Sequence, residues 1–319
     1  MRMLITRPMP ERVARAAAER FEITQRQSNA SCTRDEMVAA LKGFDVVLAS
    51  LGDRFDAEVF AAAPAPRCRL IANFGVGYNH IDVAAAQAAG VAVTNTPGAV
   101  TDATADIAMT LILMTARRAG EGERLVRSGR WEGWHPTQML GLHVTGKTVG
   151  IVGMGRIGKA IAARCHHGFG MRVRFFNRSP VADPGVPAEQ VAGLHDLLGS
   201  VDVAVVAVPG GAGTRHLIDA AALAALRPEA ILINIARGEI VDEAALIAAL
   251  EAGAIAGAGL DVYEFEPEVP EALRRLENAV LLPHLGTAAL EVREEMGMMA
   301  LANALAQLEG RPLPNAVAP

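Results

Sequence analysis

The sequence predicts an α/β protein with two doubly wound domains, each a parallel sheet with helices on both faces. Short β-like segments alternate with alanine-rich helical segments along the chain, and this pattern is typical of parallel sheets built from βαβ units. The alternation occurs twice, in two series separated by residues 129–141, which are rich in glycine, tryptophan and proline. A length of 319 residues also suits two domains of ordinary size.

The first series predicts four strands and four helices. The strands are short apolar segments at residues 2–6, 45–49, 69–73 and 91–94. The helices have alanine-rich composition and cover residues 10–20, 34–42, 56–63 and 81–89. Gly43 and Gly90 stand where C-caps would end two of these helices.

The second series predicts six strands, at residues 148–152, 171–176, 202–208, 230–235, 256–260 and 279–282. Two longer periodic helices flank it, at residues 101–118 and 287–309. Because the second series is complete before residue 287, we expect the last helix to return to the first domain. The predicted domains are therefore residues 1–98 with 287–319, and residues 99–286.

Composition excludes several classes of protein. The formal charge is −5 and no block of lysine or arginine occurs, so nucleic acid is not an expected partner. No segment is long and apolar enough for a membrane span or a signal peptide. Cys32, Cys68 and Cys165 are too widely spaced for a zinc site and odd in number, as is typical of a reducing compartment. We therefore expect a cytoplasmic protein without a membrane, nucleic-acid or metal partner.

Residues 141–148 match the phosphate-binding pattern G-x-x-x-x-G-K-[ST] letter for letter. Such a loop must follow a strand and open a helix, because its backbone amides and the helix N-terminus hold the phosphates together. Residues 134–137 are not strand-like, and residues 149–152 are strand-like rather than helical. The context favours a turn that leads into a strand, with a nucleoside triphosphatase as the alternative.

The segment 153–158, Gly-Met-Gly-Arg-Ile-Gly, lies between a strand-like and a helical segment, as a dinucleotide-binding turn must. Gly153 would allow the tight turn, Gly155 would let a pyrophosphate approach the backbone, and Gly158 would let helix and strand pack closely. The amides of Arg156 and Ile157 would point at the phosphates. The alternative is a glycine-rich turn without a ligand.

The end of the predicted strand 171–176 bears on the choice of cofactor. An acidic residue there would bind the ribose hydroxyls of NADH, but the chain continues Asn177, Arg178, Ser179 and has no carboxylate before Asp183. An arginine between two neutral hydrogen-bonding side chains suits a 2′-phosphate. The sequence thus predicts a preference for NADPH, with NADH as a second cofactor; the alternative for Arg178 is a solvated surface residue.

Polar side chains follow three successive strands of the second series: Arg237, then Asp261 and Glu266, then His284. Ligands of an open α/β sheet bind beyond the carboxyl ends of its strands, so these groups should converge. Reduction of a 2-oxo acid needs such a set, since Arg binds the carboxylate, His protonates the developing alkoxide and Glu orients His. Each side chain alone has an ordinary structural interpretation, but together they favour a catalytic site.

Short motifs at residues 73–82, 104–108, 117–118, 131–134, 153–158, 234–238, 259–267 and 283–287 are shared with one family. Through them the chain resembles the D-isomer-specific 2-hydroxyacid dehydrogenases, over nearly its whole length. The resemblance is closest to the glyoxylate/hydroxypyruvate reductases and D-glycerate dehydrogenases. It implies a Rossmann-type cofactor domain, residues 99–286, and a flavodoxin-like substrate-binding domain, residues 1–98 with 287–319.

The resemblance also implies an activity and its residues. Glyoxylate and hydroxypyruvate would be reduced to glycolate and D-glycerate by hydride transfer from NADPH, with Arg237 and Glu266 as catalytic residues and His284 as proton donor. The implied substrate-binding residues are Leu51, Val76, Gly77 and Trp134. Besides the glycine motif, the implied cofactor-binding residues are Thr104, Val208, Pro209, Thr214, Ile235, Asp261 and Gly286.

The resemblance further implies a homodimer joined through the cofactor domain, with Trp134 reaching towards the partner's active site; ordinary interface packing is the alternative for Trp134. Residues 208–214 depart from the Pro-Leu-Thr sequence commoner in the family, which leaves the adenosine contacts open. Two other functions stay open, a dehydrogenase of a bulkier D-2-hydroxy acid and a non-catalytic NAD(P)-binding sensor. Retention of Arg237, Glu266 and His284 argues against the sensor, because a sensor needs no proton donor.

Overall fold

Two sets of parallel strands organise residues 1–318, the part of the chain that the computed structural model describes. The discontinuous unit comprises Met1–Val100 and the residues from Thr287 onward, and the central unit comprises Thr101–Gly286. The chain passes from one unit to the other at residues 100–101 and 286–287. The sequence-based boundaries stood at residues 98–99 and 286–287.

The discontinuous unit contains the strands β1 (Arg2–Ile5), β2 (Glu22–Gln25), β3 (Val46–Ser50), β4 (Leu70–Phe74) and β5 (Ala92–Thr94). They form a parallel sheet in the order β2-β1-β3-β4-β5, which is the strand order of flavodoxin-like folds. The helices of this unit are α1 (Glu11–Ala18), α2 (Arg34–Gly43), α3 (Ala57–Ala61), α4 (Val83–Ala88) and α12 (Leu290–Leu308).

Short polar side chains start three of these helices. The Thr33 hydroxyl accepts a hydrogen bond from the Glu36 N–H while the Glu36 carboxylate accepts one from the Thr33 N–H, so that a capping box opens α2. Asp56 and Asp82 accept N–H groups of the first turns of α3 and α4 in the same way. The helix starts are therefore encoded locally.

β3 is buried along its whole length, which shows that both faces of this sheet are covered. Alternate side chains of a strand point to opposite faces. Leu48 packs in the core that contains Leu301 of α12, whereas Val47 packs in the core on the other face. Gly297 lets α12 approach α1 closely, since a Cβ at this position would lie 2.4 Å from Val13 Cγ2.

The central unit contains β6 (Thr148–Val152), β7 (Arg172–Phe176), β8 (Ala188–Gln190), β9 (Val203–Val206), β10 (Ile231–Asn234), β11 (Gly257–Leu260) and β12 (Ala279–Leu281). They form a parallel sheet in the order β12-β11-β10-β9-β6-β7-β8. The first six strands have the Rossmann order, and β12 extends the sheet. The helices are α5 (Thr101–Ala116), α6 (Ala119–Arg127), α7 (Arg156–Ala163), α8 (Leu194–Leu198), α9 (Ala220–Ala225), α10 (Glu243–Glu251) and α11 (Glu271–Arg275).

The predicted fold class is confirmed, since both sheets are parallel and helices alternate with their strands. The predicted helix 101–118 was too long at its end: α5 stops at Ala116, Arg118 has a φ of 51°, and α6 starts one residue later. The predicted last helix started too early, because α12 begins at Leu290. None of the helices within residues 1–318 has the length and apolar content that crossing a membrane requires.

Candidate active site

The carboxyl ends of β10, β11 and β12 lie side by side at one edge of the central sheet. Asn234 and Leu260, the last residues of β10 and β11, are register partners, and β12 ends beside β11. The chain leaves these three strands into the segments that carry Arg237, Asp261 and His284. The sheet therefore brings together groups that are far apart in the sequence.

His284 is held by contacts to its ring and to its backbone. Its Nδ1 lies 2.9 Å from Glu266 Oε2, and Glu266 Oε1 accepts the Tyr263 N–H at 3.0 Å. The His284 N–H donates to the Asp261 carbonyl at 2.9 Å, and the backbone φ of His284 is 54°. Among residues 1–318, the second ring nitrogen, Nε2, has no hydrogen-bond partner.

The charges around Glu266 fix its ionisation. Burial raises the pKa of Glu266, but the hydrogen bond with His284 and the charges of His284 and Arg237 outweigh burial and hold this pKa below its usual value. Burial lowers the pKa of Arg237, and the Glu266 and Glu239 carboxylates oppose that effect. An arginine stays charged in proteins. The site therefore contains an ionised carboxylate that contacts an imidazole and is influenced by the charge of a guanidinium.

Asp261 is buried and holds the turn that follows His284. Its two oxygens accept the N–H groups of Leu285 at 2.6 Å and Gly286 at 2.8 Å. The Gly286 carbonyl in turn accepts the Thr104 hydroxyl at 3.1 Å. Burial raises the pKa of Asp261, opposed by these backbone hydrogen bonds and by His284. Three of the predicted cofactor-binding residues thus lie together, and a contact of Asp261 with a nicotinamide stays a prediction.

Asn234 shapes the turn that carries Arg237, a role that the sequence analysis missed. Its Nδ2 donates to the Arg237 carbonyl at 2.9 Å and its Oδ1 accepts the Ala236 N–H at 3.1 Å. An Asn at a strand end that bonds backbone two or three residues on is a recognised turn signal. Arg237 Nη1 donates to the Ala236 carbonyl at 2.7 Å. The buried Ile235 lies within this turn.

The glycine motif has the geometry that a pyrophosphate requires. Gly153 has a φ of 102°, and a Cβ there would lie 2.7 Å from Val208 Cγ1. A Cβ on Gly158 would lie 2.1 Å from the Gly153 carbonyl oxygen, whereas one on Gly155 would meet nothing within 4 Å. No side chain caps α7, so the first-turn N–H groups, including those of Arg156 and Ile157, remain available to an anion.

The three residues after β7, residues 177–179, differ in their exposure and in the hydrogen bonds that they make within the protein. Asn177 Oδ1 accepts the Met154 N–H at 3.3 Å and its Nδ2 donates to the Ser179 carbonyl at 2.9 Å. Asn177 therefore ties this strand end to the glycine motif. Arg178 and Ser179 are exposed, and the Arg178 guanidinium has no partner among residues 1–318. Of the three, Arg178 carries the charge, and its binding of a phosphate stays a prediction.

The loop after β9 folds upon itself. The Thr214 hydroxyl donates to the Pro209 carbonyl at 2.7 Å, and the Thr214 N–H donates to the Gly211 carbonyl at 3.0 Å. Val208, at the loop start, lies against Gly153. Of the predicted residues, Val208 thus borders the glycine motif, and Pro209 and Thr214 lie in the same loop.

The pattern at residues 141–148 does not have the context of a triphosphate-binding loop. It leads directly into β6, and in the described part of the chain no helix follows it before residue 156. Its residues line an open cleft of about 470 Å³ with Arg172, where β6 and β7 begin. That edge of the sheet lies opposite the glycine motif, so the turn interpretation holds.

In the discontinuous unit, Asn73 organises the segment that contains Val76 and Gly77. Asn73 is 1% exposed, and its Nδ2 donates to the carbonyls of Gly75 and Gly77, each at 3.0 Å. Asn95 Nδ2 donates to the Val76 carbonyl at 2.8 Å. The carbonyls thus face protein donors, while the N–H groups of Val76 and Gly77 have no acceptor among residues 1–318. Two adjacent free N–H groups can bind a carboxylate.

Leu51 follows β3 on a loop held by Arg7. The Arg7 guanidinium donates to the Leu51 carbonyl and, at 3.0 Å, to Ser31 Oγ, and it lies 3.4 Å from the buried Asp53 carboxylate. The Leu51 side chain is 37% exposed. In the central unit, Trp134 is 80% exposed on an irregular segment.

The chain is similar to proteins of one known family. The family model described as "D-isomer specific 2-hydroxyacid dehydrogenase, NAD binding domain" matches residues 109–286. The glyoxylate reductase of Thermococcus kodakarensis is 44% identical over 322 residues, which cover 99% of this chain and 96% of that protein. The glycerate dehydrogenase of Hyphomicrobium methylovorum is 38% identical over 303 residues, 94% of this chain and 93% of that protein.

This chain is also similar to a solved structure of a related enzyme. The NADPH-dependent glyoxylate/hydroxypyruvate reductase from Sinorhizobium meliloti, crystallised with NADP and malonate, is 37% identical, with a TM-score of 0.88. The likeness covers 99% of this chain and 96% of that one. Both sheets, the glycine motif and the whole length of the chain are thus accounted for by one family. The chain belongs to the D-isomer specific 2-hydroxyacid dehydrogenases.

Proposed function

We propose that this enzyme reduces the small 2-oxo acids glyoxylate and hydroxypyruvate to glycolate and D-glycerate. The observation that carries the proposal is the 2.9 Å contact of His284 with Glu266, on segments adjoining the Arg237 turn. A proton donor oriented by a carboxylate, together with a guanidinium, suits reduction of a 2-oxo acid. The activities named for the relatives from Thermococcus kodakarensis and Hyphomicrobium methylovorum support this substrate class.

We assign the substrate carboxylate to Arg237. One of its N–H groups donates to the Ala236 carbonyl, and the others have no partner among residues 1–318. The planar guanidinium can donate two parallel hydrogen bonds to a carboxylate, and its charge polarises the adjacent carbonyl. In the discontinuous unit, we assign carboxylate binding to the N–H groups of Val76 and Gly77, which lack a protein acceptor.

His284 protonates the carbonyl oxygen in this proposal. A bound nicotinamide dinucleotide supplies the hydride for the carbonyl carbon. His284 donates from Nε2, because Nδ1 faces Glu266. Glu266 remains ionised, so it stabilises the imidazolium before the transfer and keeps the ring oriented. In the reverse reaction the neutral imidazole accepts the proton of the 2-hydroxy acid.

We propose NADPH as the preferred cofactor and NADH as a weaker one. The residues fit such a group: Gly155 leaves open space, α7 has uncapped N–H groups, and Arg178 has no partner among the described residues. No acidic side chain ends β7 to repel a 2′-phosphate. The NADP bound to the Sinorhizobium meliloti relative supports the same choice.

Kinetics with a panel of 2-oxo acids test the proposal. The rates with glyoxylate, hydroxypyruvate, pyruvate and bulkier branched or aromatic 2-oxo acids are measured with NADPH and with NADH. We expect the highest kcat/KM for glyoxylate or hydroxypyruvate with NADPH. Higher efficiency with a bulky acid would indicate the other dehydrogenase activity, and nucleotide binding without turnover of any acid would indicate a sensor.

We also propose a homodimer formed through the central unit. Trp131, Trp134 and Leu140 are 51%, 80% and 69% exposed and lie within one short segment. Exposed aromatic and aliphatic side chains that cluster in this way mark protein interfaces. Light scattering of the purified enzyme should give twice the mass of the chain; the mass of a single chain at micromolar concentration would contradict the proposal.

A further inference from the structure

One carboxylate, that of Glu239, ties a loop to the turn that follows Arg237. The loop is residues 209–216 and the turn is Gly238–Ile240. The Gly211 N–H donates to Glu239 Oε1 at 2.9 Å, and the His216 N–H donates to the Glu239 carbonyl at 2.8 Å. A single residue thus holds the loop near both of its ends.

The loop backbone lies directly against the Arg237 side chain. A Cβ on Gly210 would lie 2.8 Å from Arg237 Cγ and 2.8 Å from Glu239 Oε1. Gly210 therefore fills the narrow space between the Arg237 stem and the Glu239 carboxylate, and a larger residue there would have to displace one of them. Because packed groups cannot move independently, the position of the loop and the conformation of Arg237 depend on each other.

The other end of the loop is anchored to the segment that carries Glu266. His216 Nε2 lies 2.8 Å from Glu264 Oε1, and Arg215 Nη2 donates to the same oxygen at 2.7 Å. The negative charge of Glu239 also acts on the Arg237 guanidinium, where it opposes the effect of burial on the Arg237 pKa. The surroundings of the guanidinium are thus fixed.

We infer that Glu239 is a positioning residue for Arg237. By accepting the Gly211 N–H it keeps the loop against the Arg237 stem, and so holds the guanidinium in the orientation that receives the substrate carboxylate. The inference rests on the proposed role of Arg237 as the carboxylate-binding residue. It also explains the glycine at position 210, where there is no room for a side chain.

Four variants of the full-length enzyme test the inference. Glu239→Ala removes both the acceptor and the charge, whereas Glu239→Gln keeps an oxygen that can accept the Gly211 N–H. Gly210→Ala keeps Glu239 but inserts a methyl group between it and Arg237. Glu229→Ala is the control, because Glu229 is exposed and has no side-chain partner among residues 1–318. Each variant is compared for KM and kcat with glyoxylate, and for amide hydrogen exchange in residues 209–216.

Glu239→Ala and Gly210→Ala should each raise the KM for glyoxylate about tenfold with a smaller fall in kcat, as expected for loss of uniform binding. Glu239→Gln should restore the KM to within about threefold of the unmodified enzyme, because one hydrogen bond to the loop is kept. Exchange in residues 209–216 should be faster in Glu239→Ala and unchanged in Glu239→Gln. The control should match the unmodified enzyme throughout.

A KM for Glu239→Ala within about twofold of the unmodified enzyme would overturn the inference, since one lost hydrogen bond should exceed that. So would an equal rise in both Glu239 variants, or a general loss of stability that leaves KM unchanged. If the unmodified enzyme reduces no 2-oxo acid, the proposed function fails instead. The exchange rates then still decide whether Glu239 holds the loop.

Discussion

His284 combines an uncommon backbone conformation with the contact that orients its ring. A non-glycine residue in the left-handed region costs about 1–2 kcal/mol, and here φ is 54°. The hydrogen bonds to the Asp261 carbonyl and to Glu266 offset this cost. A strained residue that its surroundings hold in place is typical of functional sites. The left-handed backbone of His284 thus occurs together with the contact that orients its ring.

Replacing His284 by Ala removes the proposed proton donor. We expect kcat for glyoxylate to fall by about 10²–10⁴-fold, the usual contribution of a general acid. NADPH affinity, measured by fluorescence titration, should change little, because the glycine motif does not contact this side chain. Turnover near that of the unmodified enzyme would remove His284 from the mechanism.

Glu266→Gln should change how activity depends on pH. Glu266 is ionised at neutral pH because its pKa is held below the usual value, and its charge stabilises the imidazolium. Without that anion the protonated ring is stabilised less, so reduction should decline at a lower pH than in the unmodified enzyme. The pH profile of kcat/KM measures this. An unmoved profile would show that Glu266 acts only through the backbone of Tyr263.

At the scale of elements, the buried strands could be predicted from the sequence, whereas two of the four edge strands, β2 and β8, could not. β6 and β9 are fully buried and appear as continuous apolar runs. β2 and β8 lie at sheet edges, carry mainly polar side chains and are partly exposed, so their residues have no strand-like pattern. Only pairing with β1 or β7 defines them.

Much of the candidate site was predictable for a related reason. Arg237, Glu266 and His284 follow buried strands whose ends the sequence marks clearly, so their meeting could be inferred. Asn73 and Glu239 could not be recognised, because they act on backbone groups whose positions arise only in the folded chain. Polar residues that bond to distant backbone leave no pattern in one sequence.

The end of β7 predicts the cofactor preference. Arg178→Ala should raise the KM for NADPH about tenfold, since a charge-assisted hydrogen bond contributes roughly 1.5–3 kcal/mol and solvent weakens it. The KM for NADH should stay nearly constant. Steady-state kinetics with both cofactors measure the difference, and Arg172→Ala, at the opposite end of the same strand, is the control. Equal efficiency of the unmodified enzyme with NADH would contradict the prediction.

The hydrogen bonds of Asn73, a residue of β4, lead to a prediction about substrate binding by the discontinuous unit. Asn73→Ala removes two hydrogen bonds that hold the carbonyls of Gly75 and Gly77. We expect the N–H groups of Val76 and Gly77 to lose their common orientation, so that the KM for glyoxylate rises by about tenfold or more. The dissociation constant of NADPH is measured for the same variant, and we expect it to stay unchanged. If it rises in parallel with the KM, Asn73 acts on the stability of the whole enzyme.

At the scale of the whole molecule, the order of the chain differs from the order of its units. The central unit is a single stretch, Thr101–Gly286, but the discontinuous unit takes α12 from the far end of the chain. α12 covers one face of the first sheet, where Leu301 and Ala304 pack with Met3, Ile5 and Leu48. That face has no other helix of comparable length among residues 1–318.

This arrangement has a consequence for synthesis on the ribosome. Translation from residue 100 to residue 308 takes roughly 10–40 s at ~5–20 residues per second, and during this time the first sheet lacks the helix that seals it. The central unit can finish folding meanwhile. A chain that stops after Gly286 should therefore yield a protease-resistant core from residues 101–286 and a rapidly cleaved amino-terminal part; equal resistance of both parts would contradict this order. Nascent chains of this enzyme are thus expected to engage chaperones through their first hundred residues, and to be released only when the last helix leaves the exit tunnel.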